Sequence, residues 1–398
     1  AGSAAPEQLV LKDKFQVGPG FTAFLAHGSL VPPSFRQRCL DADLDELISR
    51  SKPLHCAVPR SPARKLRVAA VTGLLAAKGR LLVAHFVRER GRGAGVAREF
   101  LAKAAEVLMT ARSGASMEEG QPLWDYEAES RTFWFAELPP SKSRRRLFEA
   151  CGVLLAQALV TGTRLQVSFP PVLYSLLLRH LGASAPEPGL EELAMVRPCL
   201  AKGLQQLLEY QGPDAGEVFP LDWPRGDELC SENRREHVEA FVRWFFDEKF
   251  ESQLRPLAEG FQSVLGGSNL LKELVTAPQL EQFLCGVEAP MDLRQLRQSA
   301  RFLGFDQAFE ELFWSVLEEL DAEQRRRFAV FVSACGRRPP EGWHKFDLQV
   351  QRNGEGDERL PTAYTCFTLL LLPRYSSAQV MRARLLAAIN ETEGFGLS

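Results

Sequence analysis

One cysteine near the end of the chain has neighbours that could make it a nucleophile. Cys366 lies in Leu-Pro-Thr-Ala-Tyr-Thr-Cys-Phe, residues 360–367, between small polar and aromatic residues. A free thiol ionises near pH ~8.5, so roughly a few per cent is thiolate at neutral pH, and thiolate is strongly nucleophilic. A cysteine taken alone is more often a small buried hydrophobe, so its surroundings must decide. A hydrolase would need a histidine within reach of the thiol and a third group to orient it. The histidines are His27, His55, His85, His180, His237 and His344, and none stands in a recognisable Cys-His signature. His344 is nearest along the chain and reads as a surface residue at a strand edge. The hydrolase reading stays open, because folding can bring distant residues together.

Gly91, Gly93 and Gly95 follow a strand-like run and precede a helical pattern, which invites a dinucleotide-binding reading. The fingerprint needs Gly or Ala at 96, and Val96 stands there. A tight turn with close packing explains these glycines better. The basic runs Lys142–Arg146 and Arg325–Arg327 have no interleaved aromatics and read as solvated helix faces. The cysteines at 39, 56, 151, 199, 230, 285, 335 and 366 form no C-x-x-C pair, so no structural zinc is expected. Their dispersion points to reduced thiols in cytosol or nucleus.

Elements that would carry Cys366 can be read around it. Lys345–Val350 is strand-like, Leu369–Tyr375 is an apolar run with a turn, and Ala378–Asn390 is helix-like before the tail Glu-Gly-Phe-Gly-Leu-Ser. Further strands are expected at Leu81–Val87, Thr132–Phe135 and Phe328–Val332. Helical patterns cover Val96–Met109, a long run capped by Ser141 to about Leu159, Pro171–His180, Gly189–Glu209, Asn233–Phe246, Gln253–Val264, Asp292–Phe302 and Gln307–Leu320. Residues 1–53 read as a preceding segment at the edge of an upstream region, since they lack an initiator Met and are interrupted by Gly18-Pro19-Gly20 and Pro32-Pro33. A mainly helical unit over 54–285 would then meet a smaller α+β unit over 292–398 through the connection 286–291, which holds Gly286 and Pro290.

The whole chain has 398 residues, 45% hydrophobic and 25% charged, with a net charge of -2. It is long enough for two to three domains, and its near-neutral balance gives no global pull toward nucleic acid or an anionic membrane. No apolar run reaches the ~20 residues needed to span a bilayer, and the start has no secretory signal.

The residues around Cys366 carry a resemblance. Leu360-Pro-Thr-Ala-Tyr-Thr-Cys-Phe367, the apolar run, the helix and Gly394-Phe-Gly-Leu397 are similar to the end of the HECT-type ubiquitin ligase catalytic domain, whose usual form is L-P-x-A-H-T-C-F-N-x-L-x-L-P-x-Y, a helix and G-F-G-L. Upstream, Phe86–Phe100 is similar to F-x-G-E-x-G-x-D-x-G-G-V-x-x-E-F, and Phe169-Pro170 with Tyr174 to F-P-x-x-x-Y. Leu204–Gly212, Glu232–Glu236, Glu259-Gly-Phe261, Phe313-Trp314 and Arg337 with Pro339 fall in the same order. The likeness covers roughly Leu54–Ser398.

This resemblance implies a bilobal α+β fold, with a mainly helical larger N-lobe and a smaller C-lobe joined by a hinge. It implies ubiquitin or a ubiquitin-like modifier, a conjugating enzyme and a protein substrate as partners, with no cofactor and no metal. Cys366 would carry ubiquitin as a thioester, Thr365 would support it, and Phe395 in the tail would act when ubiquitin passes to lysine. A subdomain at about 181–250 would recruit the conjugating enzyme through Leu208, Tyr210, Phe219, Leu221 and Trp223. Gly286 and Pro290 would lie at the hinge. Some residues depart from the family pattern: Tyr364 replaces histidine, Arg92-Gly93 stand where an acidic residue is usual, Ala334 replaces glycine, and the stretch from Phe219 to Ser231 is short. These departures bear on rate and partner choice, and they keep open a scaffold that has the fold and transfers nothing.

Overall fold

The computed structural model describes residues 33–50, 52–59, 63–88, 94–112, 120–212, 214–219, 229–230, 232–333 and 335–391. Helix α1 (Pro33–Arg50) buries Leu40 and Leu44. Strand β1 (Leu54–Val58), helix α2 (Ala63–Ala76) and strand β2 (Leu82–Phe86) then form a parallel pair with its crossover helix, in register from Leu54↔Leu82 to Val58↔Phe86. Helix α3 (Ala94–Met109) packs back on β2, and β3 (Trp124–Glu127) pairs antiparallel with β4 (Thr132–Phe135).

Helix α4 (Lys142–Val160) is the axis of the larger lobe. Ser141 caps it by accepting the Arg144 N–H at 3.2 Å. Leu147, Phe148 and every residue from Ala150 to Leu159 are buried, so the helix is covered nearly all round. Around it come α5 (Pro171–Leu181), α6 (Leu190–Val196), α7 (Pro198–Glu209), α8 (Ala215–Val218), α9 (Arg234–Trp244), a π-helical turn over Phe245–Lys249, and α10 (Glu251–Leu265). Helices α4 and α10 touch backbone to backbone. A Cβ on Gly152 would stand 2.8 Å from the Leu257 carbonyl carbon, and one on Gly260 3.0 Å from that of Glu149. Only glycine permits that approach. The buried Gln157 amide is satisfied by donating to Arg80 O at 2.6 Å and accepting from Leu82 N at 3.0 Å, which ties β2 to α4. Helices α11 (Asn269–Leu274) and α12 (Ala277–Cys285) complete this lobe.

The smaller lobe contains α13 (Leu293–Ser299), β5 (Arg301–Leu303), α14 (Gln307–Glu318), α15 (Ala322–Ser333), β6 (Gln349–Glu355), β7 (Thr362–Tyr364), β8 (Leu369–Arg374) and α16 (Ala378–Glu391). Its sheet has the order β5-β6-β8-β7, with β5, β6 and β8 parallel and β7 antiparallel. Val350, Leu370 and Leu372 face inward against Phe313, Trp314, Met381 and Leu385. One hydrophobic cluster runs from Leu40 to Cys285 and a second from Met291 to Ile389, giving an α+β, bilobal molecule. Since Leu40 and Leu44 belong to the first cluster, packing does not stop at residue 53.

Several sequence expectations need correction. Phe328–Val332, expected as a strand, is the end of helix α15. Asp321 starts that helix by accepting the Gln324 N–H at 2.8 Å while Gln324 accepts from Asp321 N, and the helix-forming run Ala-Glu-Gln-Arg-Arg-Arg carries the β-prone residues along. Gly189–Glu209 splits into α6 and α7 because Pro198 has no N–H and biases Arg197 out of the helical region, to φ -142°. Helix Asp292–Phe302 ends at Ser299, and Arg301–Leu303 joins the sheet. The strand expected at Lys345–Val350 begins only at Gln349, after a 3-10 turn over Trp343–Lys345.

Candidate functional site

Cys366 lies at the tip of the β7–β8 hairpin. The last hairpin pair is Tyr364↔Leu369, and Thr365–Phe367 form a 3-10 turn between the strands. Thr368 then adopts φ 49° and ψ 41°, left-handed backbone that a β-branched residue rarely takes. The turn is pinned by Thr368 N donating to Thr365 O at 3.3 Å and Gln349 N donating to Thr368 O at 2.9 Å. Because β8 lies between β6 and β7, the hairpin tip rests on an interior strand. The approach to β7 is fixed as well. Tyr375 OH donates to Arg359 O at 2.7 Å, Arg384 Nε to Asp357 O at 2.6 Å, and Ser376 N to Asp357 Oδ1 at 2.9 Å. The two Ser376 hydrogen bonds hold the Asp357 carboxyl below its ordinary pKa.

Large apolar side chains flank the cysteine in the open. Tyr364 is 57% exposed and Phe367 50%. The hairpin turn also meets the other lobe, at helix α3. A Cβ on Gly95 would stand 2.8 Å from Cδ1 of Phe367 and nearer still to Cε1 and Cζ, so the ring edge rests on the glycine backbone.

The lobes meet a second time at the end of α12. Val287 and Arg338 exchange backbone hydrogen bonds at 2.7 and 2.9 Å. Glu281 pairs with Arg337 at 3.4 Å, and Trp343 Nε1 donates to Pro290 O at 2.8 Å. Gly286 caps α12 at φ 78° and ψ -179°, where a Cβ would lie 2.7 Å from Arg338 O. Burial pushes the Cys285 thiol up to about 12, opposed by the Tyr174 hydroxyl, 3.3 Å from its sulfur. Burial raises the Cys335 thiol too. Neither thiol is set up as a nucleophile. Glu281 is also raised, by burial first, with Arg337 opposing.

The expected partner surface is only partly within view. Leu208, Tyr210 and Phe219 are half-buried against the larger core, and the Tyr210 and Phe219 rings meet edge to face at 5.4 Å. The hydrogen bond from Tyr210 to Asp214 raises the phenol pKa. Leu221, Trp223, Phe395, Arg92, Gly93 and Ala334 lie outside the described residues. Among those described, no group of three or more His, Cys, Asp or Glu residues could hold a metal ion, and no helix is long and apolar enough to cross a membrane. His344 is exposed and lies beside Gly342.

Three features escaped the sequence reading. The contacts of Gly95 with Phe367 and of Glu281 with Arg337 join residues far apart in the chain and leave no local pattern. The left-handed Thr368 did leave one. The family pattern has Asn after Cys-Phe, and Asn adopts that backbone at less cost than Thr.

Residues 111–398 match the family described as HECT-domain (ubiquitin-transferase). Over 297 residues, 69% of this chain, the sequence is 30% identical to human "Probable E3 ubiquitin-protein ligase HERC3", and the match covers 27% of that relative. It is 29% identical over 324 residues, 76% of this chain, to mouse "Probable E3 ubiquitin-protein ligase HERC4", covering 29% of it. Mouse "Probable E3 ubiquitin-protein ligase HECTD2" is 26% identical over 302 residues, 69% of this chain and 38% of that protein. The chain thus corresponds to well under half the length of these relatives. It is a member of the HECT-domain (ubiquitin-transferase) family.

Proposed function

We propose that this chain takes ubiquitin from a conjugating enzyme onto Cys366 as a thioester and passes it to a lysine of a protein substrate. In the first step the Cys366 thiolate attacks the incoming thioester carbonyl. A new C–S bond forms, the old one breaks, and the conjugating enzyme's thiolate leaves. Exchange of one thioester for another is near thermoneutral and needs no strongly positioned base, which suits a hairpin tip flanked by Tyr364. In the second step a lysine amine attacks the same carbonyl. A C–N bond forms, the C–S bond breaks, the nitrogen loses a proton and the Cys366 thiolate departs. Amide is more stable than thioester, so this step runs downhill.

The observation that carries the reading is the family match over 111–398 together with Leu-Pro-Thr-Ala-Tyr-Thr-Cys-Phe at the tip of a rigidly held hairpin. In this reading Thr365 supports the nucleophile through the turn, and Phe395 acts in the lysine step. The segment of about 181–250 recruits the conjugating enzyme, and the small lobe turns about residues 286–291. Incubation with activating enzyme, conjugating enzymes, ATP and ubiquitin should give a species one ubiquitin heavier on a non-reducing gel. It should vanish with reductant and with Cys366→Ala. Loading that survives Cys366→Ala overturns the assignment, and a wild-type chain that never loads favours the scaffold.

A further inference from the structure

Gly95 lies in the first turn of helix α3, where helical backbone imposes no need for glycine. Glycine is a poorer helix former than alanine, so α3 itself gives no reason for it there. What excludes a side chain there is the ring of Phe367, from the other lobe and adjacent in sequence to Cys366. The ring gains contact with α3 while half of it remains in water. Its turn is tied through Thr368 to the strands of the small lobe, so the ring cannot follow α3 unless the whole small lobe does. Seating Phe367 on Gly95 therefore reports how the lobes are oriented.

Resting on the proposed transfer function, we propose that Gly95 is a positioning residue for delivery. The first turn of α3 is the seat on which the catalytic hairpin docks through Phe367 once the conjugating enzyme has left. The docked turn has one face covered by α3, so docking opposes the approach of a bulky donor protein. It forms within the chain and needs no conjugating enzyme. It is thus available in the interval when a lysine attacks, and it fixes the hairpin against the large lobe for that attack. A small displacement of a reacting group can cost about a hundredfold in rate, so a single ring seat is enough to matter.

The test is a single-turnover cycle on the full chain with Gly95→Leu, Phe367→Ala and the double variant. Each is loaded with ubiquitin, the conjugating enzyme is quenched, and discharge to free lysine is followed. Gly95→Leu replaces a poor helix former with a good one, and its melting transition beside that of the wild type shows that the larger lobe still folds. Its loading should equal or exceed that of the wild type, while discharge slows by about tenfold. Adding Gly95→Leu to Phe367→Ala should then change discharge little, because the ring it expels is gone. Independent, additive effects overturn the proposal, as does reduced loading in Gly95→Leu or unchanged discharge. Hydrogen exchange on the uncharged chain reads the contact without any activity. Phe367→Ala should speed exchange at residues 98–101, amides bonded within the first turns of α3, and unchanged exchange there overturns the seat itself. A wild-type chain that fails to load overturns the transfer reading and the delivery role with it, while exchange still decides whether the seat exists.

Discussion

Among the described residues, two places where the lobes touch are built differently. At the end of α12, residues 281–290 are held to 335–343 by a reciprocal pair of backbone hydrogen bonds, an ion pair and an indole N–H on a carbonyl, beside two buried thiols. At Gly95 one half-exposed ring leans on a helix. A reciprocal pair of backbone hydrogen bonds is costly to break, because each separated group must find a new partner. Half a phenyl ring leaving its seat forfeits about 1 kcal/mol. A small lobe that moves would release the Gly95 contact first, and turning about residues 286–291 would also have to loosen the Glu281–Arg337 and Val287–Arg338 pairing. The difference also changes how Gly286 reads. Its permissiveness suggests a swivel, yet here it is locked by φ 78°, by its N–H on Gln282 O at 2.8 Å, and by the Arg338 carbonyl.

The strongest way to break the comparison is to attack the junction at that glycine. Gly286→Ala must place a Cβ 2.7 Å from Arg338 O, on backbone that is essentially restricted to glycine. A loss of about 3 kcal/mol is expected in urea denaturation, with the Val287–Arg338 pairing weakened. A loss below ~1 kcal/mol would show that the junction yields as easily as the Gly95 seat.

The other side can be sharpened instead of broken. Thr368 holds left-handed backbone directly below Phe367. Thr368→Asn keeps a short polar side chain and relieves strain of about 1–2 kcal/mol, less whatever the buried methyl contributes. A net gain of about 1 kcal/mol in small-lobe stability is expected, read from the melting transition. Equal or lower stability would mean that Thr368 packing outweighs its strain.

These tests lean on features of unequal legibility. The apolar run and the helix around Cys366 were readable because their signal is contiguous within Leu360–Asn390, whereas the hairpin was not, since its first strand, Thr362–Tyr364, is three residues long and leaves no alternation to read. Helix α4 was readable from Ser141 and the apolar run behind it. Helix α15 was misread although Asp321 and Gln324 form a capping box, because Ala329-Val-Phe-Val332 has β propensity and the start signal lies several residues earlier. The lobe contacts were not readable at all. Gly95 looked like part of a glycine-rich turn, and Arg337 like one member of a weak family pattern. Their roles depend on partners more than fifty residues away, which no local period encodes.

The smallest expected effect asks what holds the junction's electrostatics. Burial of Glu281 raises its pKa despite the Arg337 guanidinium 3.4 Å away, so desolvation outweighs attraction. A carboxyl whose folded pKa lies above its unfolded value of about 4.3 gives stability that is fully present below that pH. That stability is lost as the pH rises through the folded pKa. Glu281→Gln mimics the protonated form and removes the titration. At neutral pH the variant should match the wild type or exceed it by a few tenths of a kcal/mol, within the usual range for pairs that are not deeply buried. As the pH falls toward 4 the wild type should gain on the variant and the two curves converge. If the wild type instead gains on Glu281→Gln as the pH rises, the ion pair is a net clasp. The junction would then owe its strength to charge, and the contrast with the Gly95 seat would depend on salt rather than on backbone pairing.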